Sequence, residues 1–323
     1  MITGTFLDEI THNIPSQNWG RAEWDRDFAA MKAAGIRNVV LIRCGYRRWI
    51  TYPSRVLAER QGAWLPSTDL VALFLELADK HGLDFYFGTY DSGHYWETGQ
   101  AAAEVELNQR VLEEVWQRYG KSPAFKGWYL SQEVSRNIAG IVDVYARLGH
   151  FCKEIAPLPV LISPYIDGRK NISSSSAAVI RKKGITIEEH EKEWDTILSG
   201  VRGAVDVVAF QDGLVEYDEL YEFLVMNKAV VERNGMRCWT NLESFDRDMP
   251  IKYLPIGWEK LRFKLAAAQR AGYSEVITFE FSHFMSPNSC YPAAHHLHNR
   301  YREVYLKARG RPLCLEPVET EVG

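Results

Sequence analysis

The strongest constraint on the fold is an alternation that runs through the whole 323-residue chain. Eight short segments rich in Val, Ile, Phe, Tyr and Trp recur along it: Ile2–Leu7, Asn38–Arg43, Asp84–Thr89, Gly127–Gln132, Val160–Ser163, Val205–Phe210, Arg237–Leu242 and Glu275–Phe281. Near-continuous apolar runs of this length are what strands buried on both faces require. Helical patterns lie between them, and several stop at a glycine: Glu23–Ala34 at Gly35, Thr68–His81 at Gly82, Thr98–Tyr119 at Gly120, Tyr217–Asn234 at Gly235. Glycine just past the last turn is the usual helix stop. Strand–helix repetition builds a parallel sheet, because each helix carries the chain back to start the next strand in the same direction. Eight such units with no shift in composition predict an α/β fold, a single-domain (β/α)8 TIM barrel over residues 1–310 with 311–323 as a C-terminal tail. A doubly wound open sheet is the rival. It would carry a glycine-rich phosphate turn after the first strand, where this chain reads Leu7-Asp8-Glu9-Ile10.

Composition removes several function classes. The net charge is −4 and the basic residues are scattered, with Arg181-Lys182-Lys183 the densest run and no aromatic beside it. That argues for a solvated loop and against a nucleic-acid partner. The five cysteines are widely spaced, odd in number and form no C-x-x-C pair, which excludes a full disulfide framework and fits reduced thiols in the cytoplasm. No apolar run approaches the ~20 residues of a membrane span, and MITGTFLDEI lacks the basic-then-apolar order of a signal peptide. The expectation is a cytoplasmic protein with no membrane partner; the sequence is silent on oligomeric state.

In a barrel, the residues at the C-terminal ends of the strands converge on one mouth. Read in order, those ends supply Asp8 or Glu9, Arg43, Tyr90 and Asp91, Glu133, Tyr165, Gln211 and Asp212, Glu243, and Glu280 with His283. Strand alternation sets Tyr129, Ser131 and Glu133 on one face, and Trp239, Asn241 and Glu243 on one face of theirs. Strands four and seven stand across the mouth from each other. Two carboxyl groups facing over a sugar-sized gap are what glycosidic cleavage needs, one to protonate the leaving oxygen and one to meet the anomeric carbon. Glu133 and Glu243 are therefore the candidate catalytic pair, the alternative being that they cap the barrel in ion pairs. Arg43, on the face of Val39 and Leu41, is a candidate to hold Glu243 ionised. Tyr90, Asp91, Tyr165, Gln211, Asp212 and Glu280 are candidates to line the sugar subsites, and Asp212 and Glu280 also compete for a place in the pair.

Aromatic residues gather in the same loops. Tyr46, Trp49, Tyr52, Tyr90, Tyr95, Trp96 and Tyr165 fall just after predicted strands, either to stack on sugar rings or to pack the loops on one another. No cofactor is implied. His295, His296 and His298, early in the last helix, read as lying on its outer face, and no H-E-x-x-H pattern is present. A metal-dependent sugar isomerase or epimerase using Asp212, Glu243, Glu280 and His283 stays open, as does a non-catalytic carbohydrate-binding barrel. G-x-S-x-G and Walker sequences are lacking.

Several segments together resemble the barrel proteins grouped as domain of unknown function 4434, relatives of glycoside hydrolases. They are Gly4-Thr5-Phe6, Trp24 with Met31-Lys32-Ala33-Ala34-Gly35-Ile36, Gly127-Trp128-Tyr129-Leu130 with Glu133, Ile162-Ser163-Pro164-Tyr165, Phe210-Gln211-Asp212-Gly213, Asn241-Leu242-Glu243, and Phe279-Glu280-Phe281 with Met285-Ser286-Pro287. A wider resemblance is to the retaining glycosidases whose acid/base and nucleophile sit on strands four and seven. It implies Glu133 as acid/base and Glu243 as nucleophile. This chain departs from that pattern in placing Gln132, where asparagine is usual, before the acid/base.

Overall fold

A computed structural model describes residues 1–11, 14, 16–169, 184–246 and 253–306. Eight parallel strands form the barrel: β1 (Gly4–Leu7), β2 (Asn38–Leu41), β3 (Asp84–Gly88), β4 (Phe125–Leu130), β5 (Val160–Ile162), β6 (Val207–Leu214), β7 (Arg237–Asn241) and β8 (Val276–Thr278). Each pairs with its sequence neighbour, and β8 pairs back onto β1, closing the sheet. One helix follows each strand: α1 (Arg21–Ala33), α2 (Leu70–His81), α3 (Ala101–Tyr119), α4 (Ile141–Ile155), α5 (Ile187–Gly200), α6 (Tyr217–Arg233), α7 (Trp258–Arg270) and α8 (Pro292–Tyr301). The expected (β/α)8 barrel is the fold.

Local chemistry explains the boundaries. Asp69 caps α2 by accepting the Ala72 N–H at 2.9 Å, and Gly82 ends it at φ +63°, a conformation open to glycine without strain. Thr186 and Glu189 form a reciprocal capping box at the start of α5. Strand β8 is shorter than the sequence suggests. After Thr278 the chain turns into a helical turn, Phe281–Phe284, whose Ser282 and His283 N–H groups donate to the Glu280 carboxylate.

Two apolar layers result from strand alternation. Phe6, Val40, Tyr86, Tyr129, Leu161, Val207, Ala209, Trp239 and Ile277 fill the barrel interior. Alternate residues such as Val39, Leu41, Trp128, Val208 and Phe210 face the helices. Packed interior layers make the barrel a solid plug and not a pore, and the side chains beyond the C-terminal strand ends shape its top.

Strand β2 stops at Leu41, two residues before the expected end at Arg43. The cause lies in the neighbouring strand. A side chain at Gly88 would place its Cβ 2.0 Å from the Leu41 carbonyl oxygen and 2.9 Å from the Arg43 nitrogen. Glycine there lets the two chains touch and the β2 chain bend across the rim.

Above the rim, Gly45–Tyr46 and Trp49–Ile50 form a small hairpin that pairs with Tyr90–Asp91. Tyr165–Asp167, in the segment after β5, lies beside β6. The solvated loop expected at Arg181-Lys182-Lys183 falls within residues 170–183, outside the described residues, as does the expected tail at 311–323. Cys44, Cys152 and Cys238 are buried free thiols, and Cys290 is an exposed one. Among the described residues, no helix is long and apolar enough to cross a membrane.

Candidate active site

At the top of the barrel is a small cleft of about 60 Å³ lined by Asp8, Thr11, Ile14, Ile42, Arg43, Glu133, Tyr165, Gln211, Glu243, Phe245, Tyr253 and Phe279. Glu133 and Glu243 both line it, as parity along their strands requires. Tyr129 points into the interior and Glu133 follows on the same face four residues later; Trp239 and Glu243 repeat the pattern on β7.

Glu133 stands among donors. The Tyr129 hydroxyl donates to its Oε1 at 2.6 Å, the Tyr165 hydroxyl to its Oε2 at 3.4 Å, and Arg43 Nη2 lies 3.8 Å from Oε2. Its side chain is only 12% exposed. Burial raises the Glu133 pKa above the ordinary carboxylate value, and the opposing effects of Arg43, Tyr129 and Gln211 do not cancel it. The shift is toward the protonated form.

Arg43 ties two strand ends together. Nη1 donates to Asp91 Oδ2 at 3.0 Å while Nη2 faces Glu133. Burial works against its charge, but Glu133, Asp91 and Asp8 outweigh that and hold the guanidinium firmly protonated. The expected partner was Glu243. Arg43 instead meets the carboxylates of the β3 and β4 ends, because the early bend of β2 turns it toward that side.

Glu243 is 2% exposed and is held through its backbone. Its N–H donates to Asp212 Oδ1 at 2.9 Å, and Lys264 Nζ, from α7, donates to its carbonyl oxygen at 3.0 Å. Lys264 Nζ also lies 3.1 Å from Asp212 Oδ2, so a buried ion pair clamps both sides of the residue. Burial raises the Asp212 pKa, with Glu243 adding to the effect and Lys264 opposing it.

The other expected subsite residues divide. Tyr165 and Gln211 line the cleft, and the Gln211 amide also donates to the Ser163 carbonyl at 2.6 Å. Tyr90, Asp91, Asp212 and Glu280 are not among the lining residues. Tyr90 is fully buried and its hydroxyl donates to the Arg47 carbonyl at 2.5 Å. Asp91 accepts from Arg43 and from the Trp96 indole N–H at 2.8 Å, so it orients the arginine from behind. Asp212 follows the inward Gln211 and so faces the helices. Glu280 likewise follows Phe279, caps the next turn, and accepts from the His283 ring Nδ1 at 2.6 Å. His283, raised to about 9, is desolvated by burial yet kept charged by Glu280 and then Glu9.

The loop aromatics are resolved the same way. Of the seven, Tyr165 alone lines the cleft among the described residues. Tyr52 donates to Glu114 at 3.0 Å, Trp96 to Asp91, and Tyr46 lies under the guanidinium groups of Arg43 and Arg47. Trp49 is 58% exposed and packs edge-on against Trp64. Gln132 points away from the cleft and donates to the Tyr90 carbonyl and to Glu104. Nor do the three late histidines share an outer face: His298 is buried against Phe281, where burial lowers its pKa to about 4, while His296 is exposed. Among the described residues, no three His, Cys, Asp or Glu side chains are grouped to hold a metal ion.

A closed parallel barrel with paired carboxyl groups at its C-terminal mouth has the glycosidase-like fold, and solved structures agree. The chain is similar, at TM-score 0.88 and 54% identity over 94% of its length and 92% of the other, to a Bacteroides thetaiotaomicron VPI-5482 protein described as a "putative alpha-L-fucosidase". It shares the fold of the endo-1,4-beta-D-mannanase of Thermotoga petrophila RKU-1 (TM-score 0.55, 10% identity, 94% and 99% of the two chains). It shares it also with a beta-glucuronidase of an uncultured Clostridium sp. (TM-score 0.56, 14% identity, 94% and 50%). No curated protein sequence matches it. Residues 2–291 match the family model described as Domain of unknown function (DUF4434), and the chain belongs to that family.

Proposed function

We propose that this protein is a retaining glycoside hydrolase in which Glu133 is the acid/base and Glu243 the nucleophile. The observation that carries the reading is that both glutamates line one cleft while burial raises the pKa of Glu133, the shift a general acid needs. Protonated Glu133 would donate to the glycosidic oxygen as the Glu243 carboxylate attacks the anomeric carbon, giving a glycosyl–enzyme ester and a free alcohol. Glu133, now ionised, would take a proton from water as that water attacks the same carbon, releasing the sugar and regenerating both groups. The clamp on the Glu243 backbone limits its movement during attack, which supports a fixed near-attack geometry. Tyr165 and Gln211 would bind the sugar beside Glu133.

The test is turnover of aryl glycosides, with alpha-L-fucosides in the panel because the 54%-identical relative carries that description. Glu133→Gln should lower kcat by about 10²–10⁴-fold, and Glu243→Ala should regain turnover with azide, giving a glycosyl azide of inverted configuration. Turnover by Glu243→Ala near the wild-type rate without azide would end the proposal.

A further inference from the structure

We propose that Asp8 and Arg43 form a hydroxyl-binding pair in this cleft, and that the sugar it takes bears no carboxylate. The inference rests on the hydrolase reading only in taking the ligand to be a sugar. Asp8 follows β1 directly and, by parity with the interior residue Phe6, lies on the inner face; it is 1% exposed and lines the cleft. Its Oδ1 accepts the N–H groups of Ile10 at 3.0 Å and Thr11 at 2.9 Å, which fixes the carboxylate plane. Its Oδ2 is buried and has no hydrogen-bond partner among the described residues. Arg43 shows the complementary feature: its Nη atoms face Asp91 and Glu133, while its buried Nε has no partner among the described residues. The two side chains are close enough for the Asp8 charge to act on Arg43.

An acceptor oxygen and a donor N–H, both buried and unpaired on side chains that line one cleft, call for ligand groups that donate to the one and accept from the other, and a sugar's hydroxyls do both. A buried polar atom without a partner is costly, so ligand hydroxyls that satisfy both are strongly favoured. A ligand carboxylate can only accept. It would meet the carboxyl groups of Asp8 and Glu243, with Arg43 the single cation among the described lining residues and already shared with Asp91 and Glu133. Ile42, Phe245 and Phe279 supply apolar walls suited to C–H faces.

Calorimetric binding of methyl thioglycosides, which resist cleavage, tests this on the whole chain. The panel pairs galactose with galacturonate and glucose with glucuronate, and adds mannose and fucose. At least one neutral sugar should bind, with its paired uronate at least about tenfold weaker. Asp8→Asn keeps an amide oxygen for the Ile10 and Thr11 N–H groups, so its melting temperature should match wild type. Its affinity for the neutral sugar should fall about tenfold or more, and the gap to the uronate should narrow. Equal or tighter uronate binding, unchanged neutral affinity in Asp8→Asn, or no binding across the panel overturns the proposal. Should Asp8→Asn not fold, the neutral-against-uronate comparison in wild type decides alone. Selective neutral binding with no cleavage of aryl glycosides would refute hydrolysis and leave this pair standing; cleavage with uronate preference would do the reverse.

Discussion

Replacing Lys264 with methionine removes the cation that faces Asp212 inside the protein. Lys264 is 8% exposed and Asp212 not at all, and they are 3.1 Å apart. At an effective dielectric of ~20, two unit charges at that separation attract by about 5 kcal/mol. Part of that offsets the desolvation of both groups, and removing one partner of a buried pair costs about 3–5 kcal/mol. For a chain this long the melting temperature should fall by on the order of 10 °C. The pH dependence carries the sharper signature. Burial already raises the Asp212 pKa, and loss of Lys264 removes the influence that opposes it. A carboxyl group whose folded pKa lies above its unfolded value contributes stability at low pH that is lost as pH rises through the folded value. Lys264→Met should therefore be least harmed in acid, where Asp212 takes up a proton, and most harmed at neutral pH and above. Thermal melting across a pH series, with Asp212→Asn and the double variant, completes a cycle in which Asp212→Asn recovers most of the loss. A loss equal at every pH, or a strictly additive double variant, would refute the ion-pair argument.

Two further outcomes follow from the cleft. Tyr129→Phe removes a hydrogen bond that favours ionised Glu133, so the Glu133 pKa should rise further. A general acid must be protonated, so the alkaline limb of the kcat/KM profile should move to higher pH, and a shift to lower pH would contradict the assignment. Arg43→Lys cannot reproduce a fork that reaches Asp91 and Glu133 together. Its kcat/KM should fall by about tenfold or more, and unchanged kinetics would show that the fork does not organise the site.

The barrel was readable in the sequence because each strand is buried on both faces and each helix is amphipathic and well terminated. The cleft position of Glu133 and Glu243 was readable for the same reason: their inward parity is set by Tyr129 and Trp239 and carries past the last strand residues, Leu130 and Asn241. The same rule, applied from Gln211 and Phe279, sends Asp212 and Glu280 to the helix side, so their removal from the cleft was legible and was masked by proximity to strand ends. Arg43 broke the rule. Val39 and Leu41 face the helices, and only a bend invisible in its own segment turns the arginine into the mouth. Lys264 left no signal, because a helix lysine ordinarily points to water and its partner lies 52 residues earlier in the chain. Asp8, Phe245 and Tyr253 line the cleft with little signal in the sequence: Asp8 is one of two adjacent acidic residues at its strand end, and the others come from the segment after Glu243.

Gly88 touches no ligand, yet it decides where a charged group is aimed, since β2 can fold across the rim only while its neighbour carries no side chain there. The two positions should accordingly drift together among relatives. A homologue with a bulkier residue at the glycine would have to reroute the crossing chain, forfeiting the arginine's dual grip, and such a pair of changes would mark a branch of the family with altered chemistry.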